Sequence, residues 1–227
     1  MRRERIWEID FVRGIAILLM IIYHFLYDLN EFLGVAIDLN TPFWRVYTRT
    51  YLLFIFVSGV STGFSRKPLF NALRLLGFAA GISLSTYLAL GDQYVRFGIL
   101  HFLGVCMLLH FLLKRLEVWQ LLALAAGILG LAPRIGRIKG QTGWLLPLGI
   151  TYPGFRTIDY FPLFPYLAVF IMGMIAYKLY YHKGRSLFKF SWENPVITWI
   201  SKNSLWIYLI HQPVILAGIF LYKYLAQ

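Results

Sequence analysis

The stretch IDFVRGIAILLMIIYHFLYDL, residues 9–29, decides the fold of this chain. Its apolar run is long enough to cross the hydrocarbon core of a bilayer, which takes about 20 helical residues. Four ionisable side chains nevertheless flank or interrupt it, namely Asp10, Arg13, His24 and Asp28. Because an ionised side chain in lipid is costly, this stretch predicts a membrane helix whose polar side faces protein or water.

The composition of the whole chain is typical of a membrane protein. Of its 227 residues, 59% are hydrophobic and 14% are charged, whereas soluble domains carry about 25% charged residues. Apolar stretches recur along the chain without the alternation of a β-barrel, and no polar stretch could hold a soluble domain. We therefore predict an all-α integral membrane fold, a single bundle of about seven transmembrane helices in one domain, residues 1–227.

The predicted spans follow from the apolar runs and from the charged or glycine-containing breaks between them. The longest connection, residues 134–160, separates the fifth span from the sixth. The pairs Gly59/Gly63 and Gly77/Gly81 have the spacing that lets two helices approach closely. The seven spans cover approximately 11–29, 43–64, 69–90, 95–113, 117–133, 161–181 and 203–224.

The net charge of +12 reflects lysines and arginines near helix ends, where they anchor to headgroups, so nucleic acid is not an expected partner. A cytoplasmic N-terminus places fourteen of the 22 basic residues inside, which favours that orientation. We expect a bacterial or archaeal cytoplasmic membrane. Cys106 is the only cysteine, so the chain has no internal disulfide. The fourteen are Arg2, Arg3, Arg5, Arg13, Arg66, Lys67, Arg74, Lys114, Arg115, Lys178, Lys183, Arg185, Lys189 and Lys202.

The four ionisable residues of the first span form one stripe. At about 100° per residue they project within a sector about 60° wide, and His24 lies about 16 Å further along the axis than Arg13. His24 and Asp28 stand at i and i+4, where side chains can meet. Such a pair is typical of a general base with its helper, and equally of a structural hydrogen bond between helices.

Other polar residues fall at two depths of the predicted bundle. Arg49, Arg96, His101 and Asp159, with Tyr160 beside it, are predicted in the outer third, level with Asp28. A cytoplasmic set holds Asp10, Arg13, Arg74, Lys178 and, slightly deeper, His211 and Gln212. Two polar regions joined by a stripe suit a carrier or an enzyme that works across the membrane.

Four segments, in this order, resemble the catalytic-domain family of heparan-alpha-glucosaminide N-acetyltransferase, within the wider group of transmembrane acyltransferases. They are RIWEIDFVRGIAILLMIIYHFLYDL at 5–29, FGILHFLGV at 97–105, IDYFPLFPYLAVFIMG at 158–173 and SLWIYLIHQPV at 204–214. The resemblance implies an integral membrane enzyme that transfers an acyl group from cytoplasmic acyl-CoA to an acceptor at the opposite face of the membrane. The acyl group it implies is acetyl, and the acceptor is usually a sugar.

The resemblance also implies roles for single residues. Asp10 and Arg13 match the Asp-x-x-Arg-Gly start of the first helix, near the CoA entrance, and His24 matches the catalytic base of the wider group. We predict His24 and Asp28 as catalytic residues, with His101 as the other candidate for the base, and we expect no metal. The residues predicted to bind the donor are Asp10, Arg13, Arg74, His211 and Gln212. The residues predicted to form an outer vestibule for the acceptor are Arg49, Arg96, Asp159 and Tyr160.

The expected partners are acyl-CoA, a glycan or other small acceptor, and the lipid bilayer. The sequence is also compatible with a homo-oligomer. Three other functions also stay open. Intramembrane His and Asp groups serve in proton-coupled transporters and channels. A haem b carrier would use His24 with His101 or His211 as axial ligands. A purely structural or assembly protein would use the same groups only for packing.

Overall fold

The computed structural model describes residues 6–226, which form helices and no β-strand. Arg2, Arg3 and Arg5 of the charge argument lie outside the described residues. Short 3-10 turns occur at Thr48–Thr50, Gly91–Gln93 and Gly143–Leu148, and a π-helical turn at Tyr177–Tyr181. The helices are α1 Trp7–Leu33, α2 Pro42–Tyr47, α3 Tyr51–Thr62, α4 Pro68–Leu90, α5 Ile99–Leu113, α6 Val118–Ile135, α7 Leu163–Ala176, α8 Pro195–Lys202 and α9 Ser204–Leu225.

Five helical segments of the described chain are long and apolar enough to cross a membrane, which confirms an integral membrane protein. They are Trp7–Leu33, Pro68–Gln93, Val118–Ile135, Leu163–Tyr181 and Ser204–Leu225. The span predicted at 43–64 is divided into α2, a 3-10 turn and α3, and α5 has only 15 residues. The count of seven and the cytoplasmic N-terminus stay predictions.

Local sequence explains where the helices begin and end. Proline occupies the first turn of α2, α4 and α8, where its missing N–H costs no hydrogen bond. α1 ends at Gly34, whose φ of 66° is the left-handed conformation that glycine adopts freely. The side chain of Asn194 caps α8 by accepting from the N–H groups of Val196 and Ile197. The sequence analysis does not predict α8.

The described chain divides into two compact units, and each is described by itself. Residues 6–57 and 184–226 form the first unit, in which α1 packs against α8 and α9. Residues 58–183 form the second, in which α4 packs against α5, and α6 against α7. Fully buried Phe102, Leu121, Phe170 and Ile171 fill the core of this unit. The single domain stays a prediction.

The two glycine pairs behave differently in the second unit. A Cβ at Gly59 would lie 2.2 Å from the carbonyl oxygen of Phe170, and one at Gly63 2.4 Å from the ring of Tyr177, so α3 and the α7 segment are in backbone contact. A Cβ at Gly77 or Gly81 would meet nothing within 4 Å. The close approach predicted for the Gly77/Gly81 pair is therefore wrong, because that face of α4 is exposed.

This difference predicts opposite outcomes for matched substitutions. Gly59→Ala should lower the free energy of unfolding by about 1–3 kcal/mol, because the new methyl group meets backbone that cannot move aside. Gly77→Ala should leave stability unchanged or raise it by up to about 1 kcal/mol, since alanine favours the helix. Thermal unfolding in detergent, followed by circular dichroism, measures both. Equal stability of the two variants would contradict the contact between α3 and α7.

Candidate active site

The Asp10 and Arg13 end of the polar stripe is tied to α8. The Ser201 hydroxyl donates to Asp10 Oδ1 at 2.7 Å, and Arg13 Nη1 donates to the same hydroxyl oxygen at 3.4 Å. Asp10 is 5% exposed and Ser201 is 1% exposed. A carboxylate at such a depth needs hydrogen-bond donors, and α8 supplies one of them.

Close packing against α8 explains why Gly14, which follows Arg13, has no side chain. A Cβ at Gly14 would lie 2.7 Å from Cγ2 of Ile197 and 3.1 Å from its carbonyl oxygen. Gly14 therefore lets α8 lie against the backbone of α1, which brings Ser201 to Asp10. Ser201 and α8 are not among the predicted features. The sequence signal for this helix is Asn194–Pro195, an N-cap residue followed by proline.

Further along α1, the hydrogen bond of His24 determines its tautomer. His24 Nδ1 lies 2.9 Å from the carbonyl oxygen of Met20. A carbonyl oxygen can only accept, so Nδ1 carries the hydrogen and Nε2 of the neutral ring keeps its lone pair. The ring is half-buried and is held in place on α1. This tautomer leaves Nε2 as the nitrogen that could accept a proton.

Asp28 lies one turn beyond His24 and is 2% exposed. Its Oδ2 accepts a hydrogen bond of 2.8 Å from Gln212 Nε2 on α9. In the described structure the Nδ1 of His24 binds Met20 and this oxygen of Asp28 binds Gln212, so the direct hydrogen bond that the i, i+4 spacing allows is not made. Asp28 therefore supplies a charge close to the imidazole without holding its ring.

His211 and Gln212 belong with His24 and Asp28. The rings of His24 and His211 meet edge to face, with centroids 5.0 Å apart. No porphyrin plane fits between two rings in contact, so this pair cannot be the axial ligands of a haem. The predicted grouping of His211 and Gln212 with Asp10 and Arg13 is wrong.

The reason is the path of the chain after α8. The contacts of His211 with His24 and of Phe220 with Phe32 show that α9 runs in the same direction as α1. α9 starts just after Ser201, which contacts Arg13. Seven residues later, at about 1.5 Å per residue, the chain has moved about 10 Å along α1. His211 therefore lies well beyond the level of Ser201, and its ring contact shows that it is at the level of His24.

His101, in the second unit, has both ring nitrogens engaged. The Gly98 N–H donates to Nδ1 at 3.3 Å, so the hydrogen sits on Nε2. Nε2 lies 3.3 Å from the hydroxyl oxygen of Ser83, and that hydroxyl donates to the carbonyl oxygen of Val95. In this arrangement His101 has no free lone pair, in contrast to His24.

Asp159 and Arg96 hold together the two connections of the second unit, 91–98 and 136–162. Asp159 Oδ2 accepts from the N–H of Ile99 at 3.1 Å and so caps α5. A Cβ at Gly98 would lie 2.2 Å from that oxygen, which explains the glycine. Arg96 Nη1 donates to the carbonyl oxygens of Asp92 and Arg156, at 2.8 and 2.7 Å.

The same connections enclose an open cavity of about 690 Å³. Arg96 lies 4.2 Å from the ring centre of Tyr94 at its wall. Six side chains that could contact a ligand are Ser83, Tyr94, Arg96, Gln141, Trp144 and Tyr152. Of these six, only Arg96 is predicted from the sequence as a site residue. The 134–160 segment has no periodic pattern from which its conformation could be predicted.

Tyr160 supports this region from behind. Its hydroxyl donates to the carbonyl oxygen of Leu146, which lines the cavity, at 2.7 Å. Burial raises the pKa of Tyr160 to about 12. The phenol therefore stays protonated and keeps donating at neutral pH.

Two predicted site residues have exposed side chains. Arg49 lies in the Thr48–Thr50 turn of the first unit, and Arg74 lies on α4 of the second. Among residues 6–226 there is no group of three or more His, Cys, Asp or Glu that could hold a metal ion. In the first unit, His24, His211 and Asp28 lie together and could take part in proton transfer.

Comparison with known proteins gives one match. The family model described as "Heparan-alpha-glucosaminide N-acetyltransferase, catalytic" matches residues 5–213. No curated protein and no solved structure matches the chain.

The buried contact between α1 and α8 predicts the effect of removing one hydroxyl. Ser201→Ala should lower the free energy of unfolding by about 1.5–3 kcal/mol, because the Asp10 carboxylate loses a charge-assisted hydrogen bond. Ser186→Ala is the matched control: Ser186 also donates to a carboxylate, that of Glu8 at 3.0 Å, but Ser186 is exposed whereas Ser201 is buried. Thermal unfolding should therefore show the larger loss for Ser201→Ala. A larger loss for Ser186→Ala would contradict this account of α8.

Proposed function

We propose, from the premise that this chain belongs to the heparan-alpha-glucosaminide N-acetyltransferase catalytic family, that it transfers acetyl from acetyl-CoA to an amine or hydroxyl of a sugar. Membership rests on a match over residues 5–213, which is nearly the whole chain, and it makes the protein a membrane acetyltransferase. In the proposal the donor comes from the cytoplasm, and the acceptor binds at the opposite face of a bacterial or archaeal cytoplasmic membrane.

His24 is the general base of this proposal. Acyl transfer needs a group that removes the proton of the acceptor amine or hydroxyl as this attacks the thioester carbon. The lone pair on His24 Nε2, left free by the bond from Nδ1 to Met20, is the observation that supports this role. The new bond forms from the acceptor to the acetyl carbon, the carbon–sulfur bond breaks, and the CoA sulfur leaves with the electron pair of that bond.

Asp28 stabilises the imidazolium that His24 becomes. The carboxylate is one helical turn from His24 and is held by Gln212, so its charge acts through space rather than through a direct hydrogen bond. Its loss should therefore reduce turnover less than the loss of His24, because the imidazole and its tautomer remain.

The donor's phosphates call for basic residues at the cytoplasmic ends of the helices. Arg13 of the first unit is proposed for this role, with Asp10 fixing its position, and Arg74 of the second unit is a separate candidate. The contacts of both Asp10 and Arg13 with Ser201 support a preformed position for the guanidinium group. Arg74 is free to reach a ligand because its side chain is exposed.

The cavity of the second unit is proposed as the acceptor site. Aromatic faces and a few polar groups in a concave surface are typical of small-ligand sites. Tyr94, Trp144 and Tyr152 can stack against the apolar faces of sugar rings, while Ser83 and Gln141 can bond their hydroxyls. Arg96 would add affinity for an acidic sugar, and Asp159 of the same unit belongs to the proposed outer vestibule. Arg49, exposed in the first unit, is proposed separately for contact with the acceptor.

The test of the base compares two histidines. His24→Asn should reduce acetyl transfer from labelled acetyl-CoA to an amino sugar by about 10²–10⁴-fold, with acetyl-CoA binding retained. His101→Asn is the matched control and should lower turnover far less, since both nitrogens of His101 are already engaged. Turnover and acetyl-CoA binding of both variants are measured with purified protein in detergent.

Two results would contradict the proposal. Near wild-type turnover of His24→Asn, with activity lost in His101→Asn, would move the base to α5. Absence of acetyl transfer by the wild-type protein with any amino sugar or sugar hydroxyl would favour the alternative, a proton-coupled transporter or channel.

The acceptor cavity predicts an effect on acceptor use alone. Trp144→Ala should raise the KM for the sugar on the order of 10-fold, as stacking contacts contribute about 0.5–1.5 kcal/mol, and should leave the KM for acetyl-CoA unchanged. Trp144 is 89% exposed, so its loss should not affect folding. Trp119→Ala, on α6 and 68% exposed, is the control that should change neither KM. A change in the KM for acetyl-CoA instead would contradict the assignment.

A further inference from the structure

His211 is a second imidazole in contact with His24, and the proposed function gives it no task. Its Nδ1 lies 2.6 Å from the carbonyl oxygen of Tyr208. As for His24, this partner can only accept, so the hydrogen is on Nδ1 and the lone pair is on Nε2. Two imidazoles of the same tautomer thus meet edge to face at 5.0 Å.

The reactive nitrogen of His211 is buried and has no hydrogen-bond partner among residues 6–226. Gln212 Oε1, the next polar atom on α9, is likewise buried without a partner, because the amide gives its Nε2 to Asp28. Buried acceptors in native proteins are nearly always satisfied. Both atoms are acceptors, so what they lack is a hydrogen-bond donor, and a proton on one of the two rings would supply one.

The charged group beside this histidine pair is a carboxylate. Asp28 is the carboxylate of α1 next to His24, and the other titratable groups at the pair are the phenols of Tyr23 on α1 and Tyr208 on α9. None of these three groups is a cation. One proton on the pair would therefore be balanced by Asp28, whereas a second would be repelled by the first.

We propose that His211 is the general acid of the reaction, so that His24 and His211 together carry one proton in the active state. This rests on the proposed function. His24 Nε2 takes the proton of the acceptor as the acceptor bonds to the acetyl carbon. As the carbon–sulfur bond breaks, the proton on His211 Nε2, which is buried until bound acetyl-CoA brings its sulfur against it, passes to that sulfur, and CoA leaves as the thiol. The proton now on His24 then moves to His211, which restores the starting state.

If His24 and His211 together carry one proton in the active state, kcat should depend on pH in a specific way. With two protons on the pair there is no base, and with none there is no acid, so the wild-type profile should fall on both sides of an optimum. His211→Asn should lower kcat at that optimum by about 10²-fold or more, and should lose the alkaline fall while keeping the acid one. His24→Asn should lose the acid fall.

The experiment measures kcat for acetyl-CoA and one amino sugar across the pH range for wild type, His211→Asn, His211→Gln and a control, His182→Asn. His182 is an exposed histidine next to Lys183, and its variant should keep the wild-type rate and profile. Acetyl-CoA binding and circular dichroism check that each variant is folded. Two substitutions are used so that failure of one to fold leaves the other as the test.

The outcomes separate this proposal from the function on which it rests. A wild-type rate in the His211 variants, or a reduced rate with both falls retained, would show that His211 only packs against His24, while acetyl transfer and the role of His24 stand. A wild-type profile without an alkaline fall would overturn the proposal in the same way. No acetyl transfer by the wild-type protein would overturn both.

Discussion

The requirement that polar groups on a membrane helix find partners within the protein governs the first unit. α1 is apolar enough to span a bilayer, yet Asp10 and Asp28 on it are 5% and 2% exposed. Each carboxylate accepts from a side chain outside α1: Ser201 on α8 and Gln212 on α9. The positions of α8 and α9 against α1 follow from satisfying these two carboxylates, and the histidine pair follows from the position of α9.

The resemblance motifs gain a structural meaning from these contacts. In the first unit, the 5–29 and 204–214 segments meet where His24 touches His211. In the second, the 97–105 and 158–173 segments meet where Asp159 caps α5 beside Gly98. Glycines 14 and 98 lie where a side chain would collide with a neighbouring element. Much of the shared sequence thus maintains contacts between segments that are distant in the chain.

The sequence predicted well whatever depends on local periodicity. The five spanning segments and the polar stripe of α1 follow from hydropathy and from 100° per residue. α8 is not predicted because eight residues give too little periodic signal. The last span is predicted almost as it occurs, but its start and direction do not show that His211 contacts His24. The cavity residues could not be foreseen, since 134–160 is shaped by hydrogen bonds to the connection at 91–98 and not by its own pattern. Whether the ring lone pair of His24 or of His101 is free depends on one backbone group in each case, at Met20 and at Gly98. No rule of sequence spacing predicts these two contacts.

Cys106, the only cysteine of the chain, is fully buried in the second unit on α5. A thiol-reactive fluorophore added to the native protein meets no accessible sulfur, and gains one when α5 separates from its neighbours. The wild-type chain therefore carries its own reporter of unfolding, with no engineered label. Single cysteines can be introduced elsewhere to map which side of the membrane a loop occupies. The native Cys106 need not be replaced first, because its buried thiol does not react with the label.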